Sequence, residues 1–214
     1  MNKSLAEYVE NEILPFYEKY IGCTGGQSHG IEHVRHVIRR SLEFAEQVKG
    51  TQINIDMVYA IAAFHDTGIA TDRATHEKIG AQILLADKFI AKMFSKEQRQ
   101  IMAEAVEDHR ASLKNEPRSI YGKIVSSADR RTDIDDGLCA VFQHNIKYCP
   151  HLSRDQMIEK SRLFVIEKYG DGGYAKNKSY FDDKEYKAYR TGLSDLAANK
   201  PAFKERILKA NDLA

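Results

Sequence analysis

Apolar residues recur every three or four positions along most of the chain, a spacing that predicts amphipathic helices. The inward positions of the first such segment, residues 4–21, are Leu5, Val9, Ile13 and Phe16. Pro15 should kink or split this helix, because proline cannot donate the hydrogen bond that a helix interior needs. No stretch alternates apolar and polar residues as a half-buried strand would. The pattern therefore predicts an all-α protein.

Capping signals mark where several later helices begin. Ser-x-x-Gln motifs at residues 95–98 and 153–156 are capping boxes. Either Asn54 or Asp56 can cap the helix that runs up to His65 and Asp66. Further helices are predicted over residues 118–131, 180–193 and 201–208.

Composition limits the classes of function. The chain has 214 residues, of which 43% are hydrophobic, enough to bury one proper core. A formal net charge of +1 provides no basic field for a nucleic acid polymer. The three cysteines form no Cys-x-x-Cys pair, which indicates free thiols in a reducing compartment. The charged N-terminus and the lack of a long apolar stretch predict a cytoplasmic protein that does not bind a membrane.

The pair His65-Asp66 ends an apolar run that begins at Val58. In a helix, Val58, Ile61 and His65 lie on one face, so the imidazole should point into the core. A carboxylate at Asp66 would be buried with it and would need a partner to offset the cost of desolvation. A cation is the obvious partner.

Four other residues of the ligand type repeat this arrangement: His33, His76, His109 and Asp129. Each lies near a predicted helix end and in phase with apolar neighbours, so five helices would each direct a ligand inward. A single histidine of this kind is more often an ordinary hydrogen-bonded residue. The joint pattern is what indicates a site for Zn, Mn or Fe, whose usual ligands are neutral imidazole and carboxylate.

At this point the chain resembles the HD-domain metal-dependent phosphohydrolases. Four stretches carry the resemblance in the correct order: SHGIEHVR at 28–35, AAFHDTG at 62–68, AVEDH at 105–109 and KIVSSADR at 123–130. The resemblance implies a single-domain helical bundle of the HD type. Residues 1–25 would form an N-terminal helix packed on the core, residues 26–133 the HD-domain core, and residues 134–214 a C-terminal helical extension of the same domain.

The resemblance also implies the metal ligands. The core ligands of one divalent ion (Mn, Fe, Zn, Co, Ni or Mg) would be His33, His65, Asp66 and Asp129. His76 and His109 would add a second ion, as in the binuclear members of the family. The number of ions stays open between one and two.

The implied activity is metal-dependent hydrolysis of a phosphate ester or anhydride in a small, nucleotide-like substrate, by a phosphatase, pyrophosphohydrolase or phosphodiesterase. We expect catalytic roles for Asp66, Arg130 and His109. Arginine holds phosphate oxygens bidentately, and the expected substrate contacts are Arg35, Arg110, Arg130 and His29. No other partner is expected beyond this phosphorylated small molecule, and a homodimer is left open.

Two alternatives remain at this level. Some proteins of the HD fold use a pair of iron ions to activate oxygen, and six ligands suit that chemistry. A ligand-binding module without turnover is the other alternative. The intact ligand set argues against it, since an unused buried site costs stability.

Overall fold

The computed structural model describes residues 1–21, 29–110, 115–173, 175 and 180–213. Every regular element in these residues is helical, which confirms the predicted all-α class. The chain divides into two compact units, Met1–Asp129 and Arg130–Ala214. The boundary predicted at residues 25 and 26 lies outside the described residues.

The first unit holds the predicted ligands. Its described helices are α1 (Lys3–Tyr8), α2 (Leu14–Tyr20), α3 (Ile31–Gln47), α4 (Ile55–Phe64), α5 (His76–Ala86), α6 (Lys88–Met93), α7 (Lys96–Asp108) and α8 (Ile120–Ala128). A π-helical turn, Val9–Ile13, joins α1 to α2, and a 3-10 turn, Thr67–Ala70, follows α4.

Helix α4 is the centre of this unit. It packs against α3, α5, α7 and α8, and every residue from Met57 to Phe64 is buried. A helix that is enclosed on all sides must be apolar all round, and this explains why its apolar run continues without a polar face. Of the two predicted caps, Asn54 accepts from the amides of Asp56 and Met57 at 3.0 and 3.2 Å.

The π-helical turn changes the phase of the N-terminal helix. Leu5, Val9 and Ile13 are buried as predicted, but Phe16 is only half-buried and Tyr17 takes the inward position. The wider turn keeps a constant spacing of four residues on the inward face. Pro15 lies in the first turn of α2, directly after the π-helical turn, where its missing N–H disturbs least.

Tyr17 connects the N-terminal helix to the end of α4. Its fully buried hydroxyl donates to the carbonyl of Ala63 at 3.0 Å and accepts from the amide of Asp66 at 3.1 Å. Burial, and after it the charge of Asp66, raises the pKa of Tyr17, so the hydroxyl stays protonated. The tyrosine thus fixes the backbone that carries the His65-Asp66 pair.

The second unit is a helical cluster with its own core. Its described helices are α9 (Ile134–Tyr148), α10 (Arg154–Tyr169), α11 (Lys184–Ala198) and α12 (Lys200–Ala210). Their apolar faces bury Leu138, Phe142, Met157, Val165, Leu193 and Phe203, among others. The predicted capping boxes at Ser95 and Ser153 are both formed, at the starts of α7 and α10.

Two further findings concern the described helices and cysteines. None of these helices combines the length and apolar character that crossing a membrane requires. Cys139 and Cys149 are free thiols, and Cys23 lies outside the described residues.

Removing the Tyr17 hydroxyl tests its structural role. Tyr17→Phe keeps the ring but leaves a buried carbonyl and a buried amide without this partner. We expect the free energy of unfolding to fall by about 1–3 kcal/mol, as measured by urea denaturation. Tyr20→Phe is the matched control, because the Tyr20 side chain is exposed, and its effect should stay within about 0.5 kcal/mol. Equal stability of Tyr17→Phe and the wild type would contradict the assignment.

Candidate metal centre

The His65-Asp66 pair lies where α4 ends, and the chain turns there at once. His65 is the C-terminal cap of α4 and is fully buried, and Asp66 is only 2% exposed. Gly68 makes the turn possible: a Cβ at this position would lie 2.2 Å from the backbone oxygen of His76. A glycine at 68 therefore lets the start of α5 approach the pair, and His76 comes with it.

One group of ligand atoms gathers around His33. Its Nε2 lies 3.2 Å from Nε2 of His65, 3.2 Å from Oδ1 of Asp129 and 3.5 Å from Oδ2 of Asp66. Nε2 of His65 in turn lies 3.4 Å from the same oxygen of Asp66 and 3.8 Å from Oδ1 of Asp129. The four residues predicted to bind the core ion are thus brought together.

A second group gathers around the other oxygen of Asp66. Oδ1 of Asp66 lies 3.3 Å from Nε2 of His76 and 3.6 Å from Nε2 of His109. The two imidazole nitrogens are 3.2 Å apart. The two groups therefore share one carboxylate, which directs a different oxygen to each.

The tautomers of His65, His76 and His109 follow from their backbone contacts. In each ring, Nδ1 lies 2.6–2.9 Å from the carbonyl oxygen three residues earlier, that of Ala62, Arg73 and Val106 respectively. A carbonyl only accepts, so Nδ1 carries the proton and Nε2 of a neutral ring presents a lone pair to the cluster. Such a hydrogen bond on the other ring nitrogen is typical of metal-binding histidines.

The donor geometry fits divalent ions. Between His76 and His109, two lone pairs face each other at 3.2 Å, an arrangement that repels unless a cation or a proton lies between them. Two nitrogens each about 2.1 Å from one ion lie roughly 3.0–3.4 Å apart at octahedral to tetrahedral angles. The pair His33 and His65 shows the same separation. Each His–His pair thus lies beside one oxygen of Asp66, and the pair His33 and His65 also lies beside Asp129. Imidazole nitrogens and carboxylate oxygens of this kind are the usual ligands of Zn, Mn or Fe.

His29 holds Asp66 from a third side. Its Nδ1 lies 2.8 Å from Oδ2 of Asp66, and its Nε2 lies 3.0 Å from a guanidinium nitrogen of Arg73. Since arginine only donates, Nε2 of His29 is the acceptor, and Nδ1 donates its proton to Asp66. The ring is therefore a hydrogen-bond partner of the shared carboxylate, with its second nitrogen turned towards Arg73.

The carboxylates and imidazoles shift each other's pKa strongly. Burial alone would raise the pKa of Asp66, but the surrounding imidazoles, His65 first, hold it well below its usual range. The pKa of Asp129 is lowered in the same way, chiefly by His33. Burial alone would lower the pKa of His33, and the carboxylates of Asp129 and Asp66 outweigh this and raise it to about 9. Without a metal ion, a proton on His33 therefore offsets part of the negative charge of the two carboxylates.

In His29, His76 and His109, burial lowers the pKa of the imidazole and nearby carboxylates raise it. Burial lowers the pKa of His29 and His76, and their contacts with Asp66 offset this only in part. For His109 the hydrogen bond and charge of Asp66 outweigh burial, and its pKa is raised.

The predicted substrate arginines fall in different places. Arg35 forms a bidentate pair with Glu10 at 2.8 and 3.0 Å, so the structure does not bring it to the cluster. Arg110 donates to the carbonyl of Ala74 at 2.7 Å and to Glu77 at 3.2 Å, and the Glu77 carboxylate lies 3.6 Å from Nδ1 of His76. Arg130 follows Asp129 directly and is buried.

Arg40 supports Asp129 and was missed by sequence reasoning. Its buried guanidinium donates to the carbonyls of Ser127 and Ala128 at 3.4 and 2.9 Å. These are the last carbonyls of α8, immediately before the ligand. The available signal was an arginine in phase with the apolar stripe of α3, between Val37 and Phe44.

Comparisons with known proteins give one result. Residues 30–132 match the family described as the HD domain. Neither the curated proteins nor the solved structures supplied a match. The match covers all six predicted metal ligands, and it confirms the resemblance carried by their order along the chain. The match over residues 30–132 supports the resemblance of this part of the chain to the HD-domain superfamily of metal-dependent phosphohydrolases.

Proposed function

We propose that the chain is a phosphohydrolase that uses two divalent ions to cleave a phosphate ester or anhydride in a small, nucleotide-like molecule. The observation that carries the proposal is the shared carboxylate of Asp66, whose two oxygens face two separate groups of imidazole nitrogens. One ion would be held by Oδ2 of Asp66 with His33, His65 and Asp129. The other would be held by Oδ1 of Asp66 with His76 and His109.

The charge of this ligand set suits an anionic substrate. Four neutral imidazoles and two carboxylates offset only half the charge of two divalent ions, so the centre keeps a net positive charge. When bound, such ions polarise a phosphoryl oxygen and lower the pKa of a water molecule that can act as nucleophile. The phosphate class of substrate follows from this charge together with the family.

The protein residues supply position. Asp66 spans the two groups, and its orientation is fixed by the N–H of His29 and by the hydroxyl of Tyr17 on its own backbone amide. The ring of His109 is fully buried, with one nitrogen on the Val106 carbonyl and the other in the cluster. These contacts favour a role as a metal ligand for His109 over a role in proton transfer.

Arg130 keeps its proposed role from the Ala-Asp-Arg sequence that the family shares. A guanidinium next to a metal ligand can hold a phosphate oxygen that does not react, and losing such a contact costs about 2–4 kcal/mol of transition-state stabilisation. None of the site residues selects a base, so the nucleotide-like character of the substrate rests on the family alone.

A pair of iron ions that activates oxygen is the second candidate. The same observation favours it, because a carboxylate that bridges two imidazole-rich groups also suits two iron ions. The two candidates differ in what can be measured: a hydrolase releases phosphate or pyrophosphate, and an oxygenase consumes oxygen.

The metal content of single variants tests the ligand assignment. We expect about two ions per chain in the wild type, almost none in Asp66→Ala and about one in His76→Gln, because only Asp66 serves both groups. Elemental analysis after removal of free metal gives these ratios, and circular dichroism checks the fold. His144→Gln is the control, since His144 is exposed on α9 in the second unit. Full metal content in Asp66→Ala would show that the ion lies elsewhere.

The reaction itself is tested by phosphate release. We expect the metal-loaded protein to release phosphate or pyrophosphate from at least one nucleotide in a screen with Mn, Mg, Co, Zn and Fe added separately. Arg130→Gln should retain its metal and lose about two to three decades in rate. Oxygen consumption with iron, together with no phosphate release under any metal, would replace the hydrolase with the oxygenase.

Metal binding should release protons near neutral pH. The pKa of His33 is raised to about 9 in the metal-free protein, whereas metal binding needs the neutral ring. At pH 7.5 the ion must therefore expel about one proton, and the affinity should weaken by up to about tenfold per unit of falling pH. The same shift stabilises the metal-free fold fully below the unfolded pKa of about 6.5, and this contribution is lost as the pH rises through about 9.

Calorimetry in buffers with different enthalpies of ionisation measures the protons released. His144→Gln should give the same number as the wild type. A binding enthalpy that does not depend on the buffer would mean that no proton leaves, contrary to the raised pKa of His33.

A further inference from the structure

Arg73 lies at the outer edge of the metal centre and is exposed to solvent. It belongs to the short loop between the 3-10 turn and α5. Its guanidinium donates to Nε2 of His29 at 3.0 Å, and His29 donates to the shared carboxylate of Asp66 at 2.8 Å. One imidazole ring therefore separates the cation of Arg73 from the group that links both sets of ligands.

The partner of Arg73 sets it apart from other arginines of the chain. Several arginines form close pairs with carboxylates: Arg35 with Glu10, Arg39 with Glu43, Arg118 with Glu107, Arg162 with Glu159 and Arg206 with Asp135. Within the described ranges, no carboxylate forms a salt bridge with Arg73, and its partner is a ring nitrogen. An anion that binds Arg73 therefore breaks no ion pair, whereas one that binds Arg110 must compete with Glu77.

The loop around Arg73 is held in place on both sides. Asp72 accepts from the amide of Ala74 at 3.0 Å and from the hydroxyl of Thr75 at 2.7 Å. Arg110 donates to the carbonyl of Ala74 at 2.7 Å, and the carbonyl of Arg73 itself accepts from His76 at 2.9 Å. The same residue thus orients a ligand of the second group through its backbone and projects a cation through its side chain.

The chemistry of the guanidinium identifies the ligand class. It is charged at all relevant pH values and carries five N–H donors in a planar fork that matches the oxygens of phosphate. His29 uses one donor, and no other described residue occupies the rest, which can bind a tetrahedral anion. Pairs of arginine and phosphate of this kind are short, charge-assisted and often bidentate.

We propose that Arg73 binds non-bridging oxygens of the substrate phosphate at the metal centre, in addition to the contact proposed for Arg130. This inference rests on the proposed function and deepens it, since it names a phosphate contact that neither the order of the motifs nor the family match supplies. The guanidinium lies against His29, and in this proposal its remaining donors hold the phosphate at the metal centre.

The test uses inorganic phosphate as the probe, titrated into the full chain after loading with Mn and removal of free metal. The variants are Arg73→Gln and Arg73→Lys, with Arg39→Gln as the matched control because Arg39 is exposed and pairs with Glu43. Calorimetry gives the dissociation constant, elemental analysis gives the metal content, and the phosphate-release assay is run on the same samples.

We expect Arg73→Gln to weaken phosphate binding about tenfold or more, a change of roughly 1.4 kcal/mol. Arg73→Lys should lie between Arg73→Gln and the wild type, because lysine keeps the charge and loses the fork. Arg39→Gln should bind phosphate as the wild type does, and all three variants should keep their metal.

Three results would overturn the inference. The first is unchanged phosphate affinity in Arg73→Gln, and the second is no phosphate binding by the wild type. The third is loss of metal from Arg73→Gln, which would assign the arginine to holding His29 in place. Phosphate binding that depends on Arg73 in a protein that hydrolyses no phosphate ester would refute the proposed function and leave the Arg73 site standing. Hydrolysis of a phosphate ester together with phosphate binding that does not depend on Arg73 would support the proposed function and refute the Arg73 site.

Discussion

The buried negative charge of Asp66 is the constraint on which the rest of the first unit depends. A carboxylate with 2% exposure loses several kcal/mol of solvation unless charges and hydrogen bonds replace the water. Five imidazoles lie 2.8–3.6 Å from its oxygens: His29, His33, His65, His76 and His109. When neutral, the rings of His65, His76 and His109 turn lone pairs inward, and lone pairs cannot offset a negative charge. The arrangement is therefore stable with a cation among them, or with protons taken up in its place.

The predicted ligands lie at or near helix ends. This position explains the direction of their side chains, and for Asp129 it is electrostatically unfavourable. A histidine that caps a helix can donate Nδ1–H to the carbonyl three residues earlier, as His65 and His109 do, and its other nitrogen then points away from the helix. The same position is unfavourable for Asp129, because a helix C-terminus carries partial negative charge. Arg40 offsets this by donating to the last carbonyls of α8, so one buried cation stabilises the helix end that carries the carboxylate.

Much of the site could be predicted because helical phase determines which way a side chain points. His65 follows Ile61 by one turn, and the order of four motifs added the rest. What could not be predicted depends on backbone detail that sequence spacing does not encode. The π-helical turn moves the inward position from Phe16 to Tyr17, and Arg35 lies two residues from His33 and so faces another side of α3.

Loop contacts were the other limit of prediction. The contact between Arg73 and His29 joins two loops that are 44 positions apart, and periodicity gives no information about loops. Gly68 shows what a closer reading could have used. A glycine two positions after the pair is compatible with the close approach of another backbone, and in the structure that backbone is the start of α5 with His76.

Folding and metal binding are linked through the same contacts. The packing of α4 against α3, α5, α7 and α8 brings the rings together, so the cost of facing lone pairs and a buried carboxylate is incurred on folding. An ion that binds only the folded chain recovers this cost, and at a free concentration one hundred times its dissociation constant it adds about 2.7 kcal/mol to stability. Burying Asp66 beneath the enclosed helix α4 thus makes the metal a component of the fold as well as of the chemistry. It follows that substitutions of Tyr17 or Arg40 should act on the metal centre by loosening the two backbone segments that carry Asp66 and Asp129.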